Sequence, residues 1–277
     1  MLGSEFMSAA EIARTILASE PCRTVLARME ASASGRKLLN SLSNGGGVFS
    51  TFEEGWSAAR KIMAAGHEHP SEIRVHLELS RDLRASDYAV LYWLSRMDSR
   101  DLRIFDFGGN VGNLFYSYSP YLRDSFNIYW TVFDLPSIIE EGKRIAAERN
   151  ALGLGFTNSV TDVSETHLLL VSGTFHYWES SIEAFLQHLG KLPEHVIVNR
   201  SPILERQSSF ITVQRTRFCA FPCIVRNARE TVSAFAAMGY TLVDRWPALE
   251  LSLRLPLFPT RSVPHYSGFY FRRQQLR

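Results

Sequence analysis

The stretch Ile104-Phe105-Asp106-Phe107-Gly108-Gly109-Asn110-Val111-Gly112 decides the fold class, because it joins a short apolar run to a glycine-rich turn. The run is too apolar for an exposed edge strand and predicts a buried one. Glycines stand where a backbone must take positive φ or lie close to another group. A buried strand that leads directly into such a turn predicts a ligand-binding loop.

A second acid, Asp134, ends the next apolar run at residues 128–133, 22 residues after Gly112. This spacing suits a carboxylate that accepts hydrogen bonds from ribose hydroxyls.

From Leu102 onward, short β-rich runs alternate with helical patterns, which is typical of a parallel α/β sheet. Strands are expected at residues 102–107, 128–133, 155–159, 167–171 and 195–199, and helices are expected to begin near Gly112, Ser137, Ser180 and Ala228. Two late runs, residues 241–246 and 267–272, enclose a proline-bearing loop and predict a C-terminal antiparallel hairpin.

The N-terminal region, residues 9–97, has apolar residues at spacings of three and four and predicts five or six helices. Gly45-Gly46-Gly47 is expected to separate helices, and Ser86-Asp87 to cap one of them. We therefore expect a helical cap at residues 7–99 and a ligand-binding domain at residues 100–277. Residues 1–6 resemble a cloning scar before Met7.

The composition is that of a globular protein, with 277 residues, 45% of them apolar. The net charge of +2 comes from 30 basic and 28 acidic residues spread along the chain, which argues against a nucleic-acid partner. The apolar runs are shorter than the roughly 20 residues that span a bilayer, so we expect a cytoplasmic protein. Cys22, Cys219 and Cys223 are expected to be thiols, and the sequence lacks the ligand set of a zinc site.

Two cofactor classes use a strand, a glycine turn and a later acid, and the spacing of the glycines separates them. A dinucleotide loop has glycine at its first, third and sixth positions, which here are Gly108, Asn110 and Asn113. A nicotinamide-dependent oxidoreductase is therefore disfavoured. An S-adenosylmethionine loop follows D/E-x-G-x-G-x-G, which Asp106, Gly108 and Gly112 fit. Asn110 replaces the middle glycine, and asparagine tolerates positive φ better than other side chains.

S-adenosylmethionine carries an amino acid, a sulfonium and a ribose, and each has a candidate partner. Asp106 suits the methionyl ammonium, and Asp134 suits both ribose hydroxyls. The backbone expected to pass beneath the ribose is that of Gly108, Gly109, Asn110 and Gly112. A tight strand-to-helix turn beside a surface acid is the alternative that needs no ligand.

These motifs resemble those of class I S-adenosylmethionine-dependent methyltransferases, from Leu102 to the C-terminus. Phe133-Asp134-Leu135-Pro136 resembles the FDLP segment of small-molecule O-methyltransferases, whose acid binds ribose and whose next residue packs on adenine. Residues 167–178 resemble their fourth strand and its exit, and Val196-Ile197-Val198-Asn199-Arg200 resembles the fifth. The resemblance implies a Rossmann-like α/β sheet, mostly parallel, with the antiparallel hairpin at its C-terminal end.

The whole chain more closely resembles an uncharacterised bacterial group of methyltransferases, several of which are associated with surface-polysaccharide gene clusters. The segments that carry this likeness are Phe52–Ala59, Phe105–Gly112, Ser172–Tyr177, Ile211–Gln214 and Ala220–Pro222. It implies a fold and a cofactor, and it leaves the substrate open between a small molecule and a glycan precursor.

His176 follows the fourth strand, at the sheet edge where ligands of such folds bind. It matches the histidine of the His-Asp-Trp segment in O-methyltransferases, which implies a base that takes the proton of an acceptor hydroxyl. An imidazole with an ordinary pKa of about 6.5 can do this near neutral pH. Tyr177 stands where those enzymes have an acid. A histidine that only shapes the pocket, or caps the next helix, is the alternative.

Further contacts follow from the expected strand ends. Ser172 and Gly173 are expected to contact the cofactor through their backbone. Asn158 is expected to reach the adenine amino group, with Asp162 as the alternative, and Arg200 is either a partner for an acidic acceptor or a solvated arginine.

The predicted function is thus S-adenosylmethionine-dependent methyl transfer, chiefly to oxygen. A methyltransferase-like binding or scaffolding protein without catalysis is the main alternative, and a homodimer stays open.

Overall fold

The computed structural model describes residues 19–32, 34–35, 38–39, 43–62, 82–97, 101–122, 127–162, 166–189, 191–216 and 219–274. The expected cloning scar and the helical patterns at residues 9–18 and 63–81 lie outside the described residues.

The described part of the chain forms seven α-helices and eleven strands. The helices are α1 (Glu20–Ala31), α2 (Phe52–Ile62), α3 (Ala85–Leu94), α4 (Asn113–Leu122), α5 (Pro136–Glu148), α6 (Ile182–His188) and α7 (Ala228–Ala237). The strands are β1 (Gly45–Phe49), β2 (Asp101–Phe107), β3 (Asn127–Phe133), β4 (Leu154–Thr157), β5 (Leu168–Ser172), β6 (His195–Ser201), β7 (Ile203–Leu204), β8 (Phe210–Arg215), β9 (Ala220–Asn227), β10 (Tyr240–Ala248) and β11 (Tyr266–Arg273).

The larger sheet has seven strands in the order β10-β11-β6-β5-β2-β3-β4. Strands β4, β3, β2, β5 and β6 are parallel, and β11 runs antiparallel to both β6 and β10. The predicted α/β class, with a C-terminal antiparallel hairpin, is confirmed. From β2 the chain proceeds to β3 on one side and later returns to β5 on the other. The carboxyl ends of β2 and β5 therefore flank a topological switch point, where open α/β sheets bind ligands.

The central strands of this sheet are buried on both faces, which explains why they read as unbroken apolar runs. Successive residues alternate between two core clusters. One contains Phe105, Leu169, Val171, Val196 and Val198, with Phe185 of α6 and Phe235 of α7. The other contains Ile104, Leu168, Leu170 and Ile197, with Leu94 of α3 and Tyr118 of α4. Packing on both faces fixes the strand ends that carry the polar residues of the site.

A second sheet, in the order β1-β8-β9-β7, departs from the expected all-helical N-terminal region. Gly45-Gly46-Gly47 does not separate two helices but forms most of β1, which pairs antiparallel with β8. A Cβ on Gly45 would lie 2.8 Å from the side chains of Leu253 and Leu255, so glycine permits a close approach there. Helix α2 packs on this sheet through Ala59.

Two local boundaries also differ from expectation. Strand β4 ends at Thr157, so Asn158 lies in the loop beyond it. Helix α3 begins at Ala85, and the Asp87 carboxylate accepts a hydrogen bond from the Arg84 amide at 2.8 Å, so Asp87 caps the helix. Ser86 instead donates a hydrogen bond to Glu250. None of the described helices has the length and apolarity to cross a bilayer.

Candidate functional site

A cavity of about 730 Å³ opens at the carboxyl edge of the larger sheet, within the usual range for small-ligand pockets. The predicted site residues that line it are Asp106, Gly108, Gly109, Asn110, Asp134, Leu135, Asn158, Ser172, Gly173 and His176. Gly112 and Asp162 are not part of its lining. A Cβ on Gly112 would lie 2.9 Å from Leu154 Cδ2, so this glycine serves the packing of the turn against β4.

The glycine turn after β2 has positive φ at alternate residues. The φ angles are 72° at Gly108, 56° at Asn110 and 89° at Gly112. The Asn110 Oδ1 atom accepts a hydrogen bond from the Val111 amide at 2.9 Å, which stabilises this unusual conformation. Asn110 thus adopts the conformation that glycine would have here, and its side chain is engaged with the turn itself.

Asp106 is buried beneath this turn, with 1% of its surface exposed. Trp130 Nε1 donates a hydrogen bond to Asp106 Oδ2 at 3.0 Å. A Cβ on Gly109 would lie 2.4 Å from the same oxygen, so only glycine allows the turn to lie this close to the carboxylate. Burial raises the pKa of Asp106 to about 7, the Trp130 hydrogen bond opposes that rise, and the charge of Asp134 adds to it. A cation bound nearby would favour the ionised form.

Asp134 connects the glycine turn to the end of β3. Its Oδ2 accepts a hydrogen bond from the Asn110 amide and its Oδ1 accepts one from the Leu135 amide, both at 2.8 Å. Burial raises the pKa of Asp134, and these two amides oppose the rise. Since each carboxylate oxygen can accept two hydrogen bonds, both retain acceptor capacity for a ligand diol.

His176 lies on a 3-10 turn, Phe175–Tyr177, after β5 and is 2% exposed. Its ring centroid is 4.1 Å from that of Tyr177 and 5.9 Å from that of Tyr266. The Tyr177 hydroxyl donates a hydrogen bond to Gln214 Oε1 on β8 at 3.1 Å. The second sheet therefore contacts the turn that carries the predicted base.

Arg200 is not a solvated arginine: it is 7% exposed, at the carboxyl end of β6, with φ 55°. Its guanidinium forms an ion pair with Asp87, and its Nε donates a hydrogen bond to Ser86 Oγ at 3.1 Å. The Tyr118 hydroxyl also donates to Asp87, at 2.5 Å. This buried network joins α3 of the N-terminal region to the sheet, and Arg200 and Asp87 both line the cavity.

Several buried polar atoms on the cavity wall have no hydrogen-bond partner among the described residues. They are Asn113 Oδ1, Ser172 Oγ, Trp178 Nε1 and Tyr266 Oη. Native proteins leave few such atoms unsatisfied, so a group of them around one cavity indicates a ligand that pairs with some of them. Tyr266 and Arg84 also line the cavity, and neither belongs to a motif identified from the sequence; Gln214, the last residue of the Ile211–Gln214 motif, lines it as well.

The fold of this chain is similar to that of a solved methyltransferase. The chain superposes on 1,6-didemethyltoxoflavin-N1-methyltransferase of Burkholderia thailandensis with a TM-score of 0.50 and 14% sequence identity, over 82% of this chain and 92% of that chain. The fold is that of a class I methyltransferase. The Burkholderia enzyme was solved with 1,6-didemethyltoxoflavin and S-adenosylhomocysteine bound.

Magnesium protoporphyrin IX methyltransferase of Synechocystis PCC 6803, with bound S-adenosylhomocysteine, superposes with a TM-score of 0.47 and 13% identity. The match covers 80% of this chain and 95% of that chain. No family model matches the sequence, and the search of curated proteins found no match.

Proposed function

We propose that this chain is an S-adenosylmethionine-dependent methyltransferase that methylates an oxygen of a small molecule or glycan precursor. The observation that carries the proposal is the turn at Gly108, Asn110 and Gly112, in which alternate residues have positive φ and the Asn110 amide is bonded to Asp134. The three positive-φ positions coincide with the three glycine positions of the D/E-x-G-x-G-x-G pattern, with asparagine in the middle one.

The residues of the cavity fit the parts of this cofactor. Asp134 offers acceptors to the two ribose hydroxyls, while Asp106, whose pKa burial raises to about 7, gains a compensating charge from the methionyl ammonium. Arg84 lines the same cavity and suits the methionyl carboxylate. Leu135 lines the cavity, is 40% exposed and would pack on adenine.

Further cofactor contacts come from the ends of β4 and β5. Asn158 lines the cavity just beyond β4 and supplies an amide for the adenine amino group. The backbone of Ser172 and Gly173 borders the cavity at the end of β5, and Gly173 has φ 79°. A Cβ on Gly173 would have no atom within 4 Å, so this backbone faces open space that a ligand can fill.

When bound there, S-adenosylmethionine would supply the electrophilic methyl group of an in-line displacement, with the neutral thioether S-adenosylhomocysteine as the leaving group. The protein's task is to hold an acceptor in line and to remove its proton. His176 accepts the hydroxyl proton in this proposal, since it lies at the cavity wall and is shielded from solvent. Residues 7–99 act as the cap, and their contribution to the cavity includes Asp82, Arg84 and Asp87.

A binding protein that lacks catalysis is the second candidate, favoured by Tyr177 in place of the acid that follows the base in O-methyltransferases. Incubation with methyl-labelled S-adenosylmethionine and a set of hydroxylated small molecules separates the two. Label in any acceptor, lost on His176→Ala, excludes the binding-only function.

Calorimetry tests the cofactor itself. We expect S-adenosylmethionine and S-adenosylhomocysteine to bind with one site per chain, and NAD to show no binding, because Asn110 and Asn113 stand at two glycine positions of a dinucleotide loop. Binding of NAD alone would overturn the proposal.

A further inference from the structure

Tyr266, the first residue of β11, places a buried phenol on the cavity wall. The residue is 2% exposed, and its hydroxyl has no hydrogen-bond partner among the described residues. Burial raises the pKa of Tyr266 well above its usual value, and the neighbouring Cys223 and Tyr177 add to the effect. The hydroxyl therefore keeps its proton and remains a donor that needs an acceptor.

A continuous series of ring contacts begins at the Tyr266 ring. The His176 ring meets the Tyr266 ring edge-on, at a centroid distance of 5.9 Å and an angle of 76°. The ring centroids of Tyr177 and His176 are 4.1 Å apart, and those of Phe221 and Tyr177 are 5.7 Å apart. All four rings line the cavity, and such walls favour flat ligands, whose faces and edges match those of aromatic side chains.

Two polar side chains on the same cavity wall, those of Arg200 and Gln214, are engaged by other residues. The Arg200 guanidinium is paired with Asp87, and its Nε lies 3.6 Å from Glu250. Gln214 accepts a hydrogen bond from Tyr177, which orients its amide at the wall. A methyl acceptor bound at this wall therefore contacts aromatic rings and hydrogen-bonding groups, and the Arg200 charge beside it is already paired.

We propose that His176, Tyr177, Phe221 and Tyr266 form the acceptor subsite, and that it takes an uncharged aromatic ring bearing a hydroxyl, to which Tyr266 donates a hydrogen bond. The inference rests on the proposed function, because it places the methyl acceptor beside the cofactor's part of the same cavity. The sequence leaves the methyl acceptor open between a small molecule and a glycan precursor, and this subsite favours an aromatic ring over a saturated carbohydrate ring.

The first test measures stability and uses two buried tyrosines. Tyr240 is 3% exposed, and its hydroxyl donates to the Pro193 carbonyl at 2.6 Å, away from the cavity. We expect Tyr240→Phe to lower the melting temperature by about 2–4 °C, since a buried hydrogen bond is lost. Tyr266→Phe should leave it unchanged or raise it. A decrease in Tyr266→Phe equal to that in Tyr240→Phe would show a structural hydroxyl and overturn the proposal.

The second test measures binding by ligand-observed NMR, with protein saturated with S-adenosylhomocysteine. The probes are catechol and cyclohexane-1,2-diol, which share two neighbouring hydroxyls and differ in the flat ring. We expect catechol to bind at least tenfold more tightly. Tyr266→Phe should weaken catechol binding about three- to tenfold, with affinity for S-adenosylhomocysteine unchanged, and Tyr240→Phe should not affect either ligand.

The outcomes separate this inference from the proposed function. If S-adenosylhomocysteine binds and catechol does not, or if the two diols bind equally, the acceptor subsite is wrong and the cofactor site stands. If Tyr266→Phe binds catechol as tightly as the wild type, the acceptor subsite is likewise wrong and the cofactor site stands. If S-adenosylhomocysteine itself fails to bind, the proposed function and this inference both fall.

Discussion

Replacing Asp106 with asparagine should alter both the stability of the protein and the pH dependence of cofactor binding. Burial raises the pKa of this carboxyl from 3.8 to about 7, a shift of about 3 units. At about 1.4 kcal/mol per unit, the ionised carboxylate therefore costs the folded protein up to about 4 kcal/mol. Asp106→Asn has the same shape, and its amide oxygen can still accept the hydrogen bond from Trp130 Nε1.

Proton binding by Asp106 decides whether stability rises or falls with pH. Between pH 4 and 7 the folded protein keeps a proton on Asp106 that the unfolded chain has lost, so the stability from this group falls as pH rises through that window. Without cofactor, Asp106→Asn should match the wild type near pH 4 and exceed it above pH 7 by up to about 4 kcal/mol. Urea unfolding at a series of pH values measures this difference. Asp101→Asn, at the exposed start of the same strand, serves as the control.

Cofactor binding should show the complementary effect. The ammonium of S-adenosylhomocysteine favours ionised Asp106, so wild-type affinity should rise up to tenfold per pH unit below about pH 7 and level off above it. In Asp106→Asn this dependence should be absent and the affinity at pH 8 lower. Calorimetry from pH 5.5 to 8.5 measures both. A stability difference that does not vary with pH, or equal pH dependence of binding in the two proteins, would refute the role given to Asp106.

Substitutions at three further positions probe the turn, the ribose contact and the base. Asn110→Gly should keep S-adenosylhomocysteine affinity within about threefold, while Asn110→Val should lose about 1–3 kcal/mol of stability, because valine resists φ 56°; equal unfolding curves would contradict this. Asp134→Asn should weaken S-adenosylhomocysteine about ten- to hundredfold in calorimetry, since it loses a charged acceptor, and unchanged affinity would reject the ribose contact. His176→Asn should slow methyl transfer to an identified acceptor by about 10²–10⁴ at unchanged cofactor affinity, and normal turnover would reject the base.

Local sequence patterns were sufficient to predict the larger sheet and the cavity-lining turn at its carboxyl edge. Strands buried on both faces read as apolar runs, and a strand end followed by Gly108 and Gly109 marks the turn. Asp106 and Asp134 follow from the same logic, because adjacent parallel strands end at the same edge and Phe107 pairs with Phe133.

The second sheet and the far wall of the cavity depend on contacts that no local pattern encodes. Strand β1 is glycine-rich, and its partner β8 lies far along the chain, where Gly45 is opposite Gln214. Arg200 resembles a surface residue until the ion pair with Asp87 is known. Tyr266 lies just before the strand predicted at residues 267–272, and its place on the cavity wall depends on how β11 inserts between β6 and β10. Such residues become visible only once the tertiary fold is known.

The position of the ribose relative to Asp134 tests the central claim most directly. In a crystal structure with S-adenosylhomocysteine, we expect both ribose hydroxyl oxygens about 2.6–3.2 Å from the Asp134 carboxylate oxygens, with the Asn110 amide still bonded to that carboxylate. A ribose bound elsewhere, or one whose hydroxyls face away from Asp134, would contradict the account.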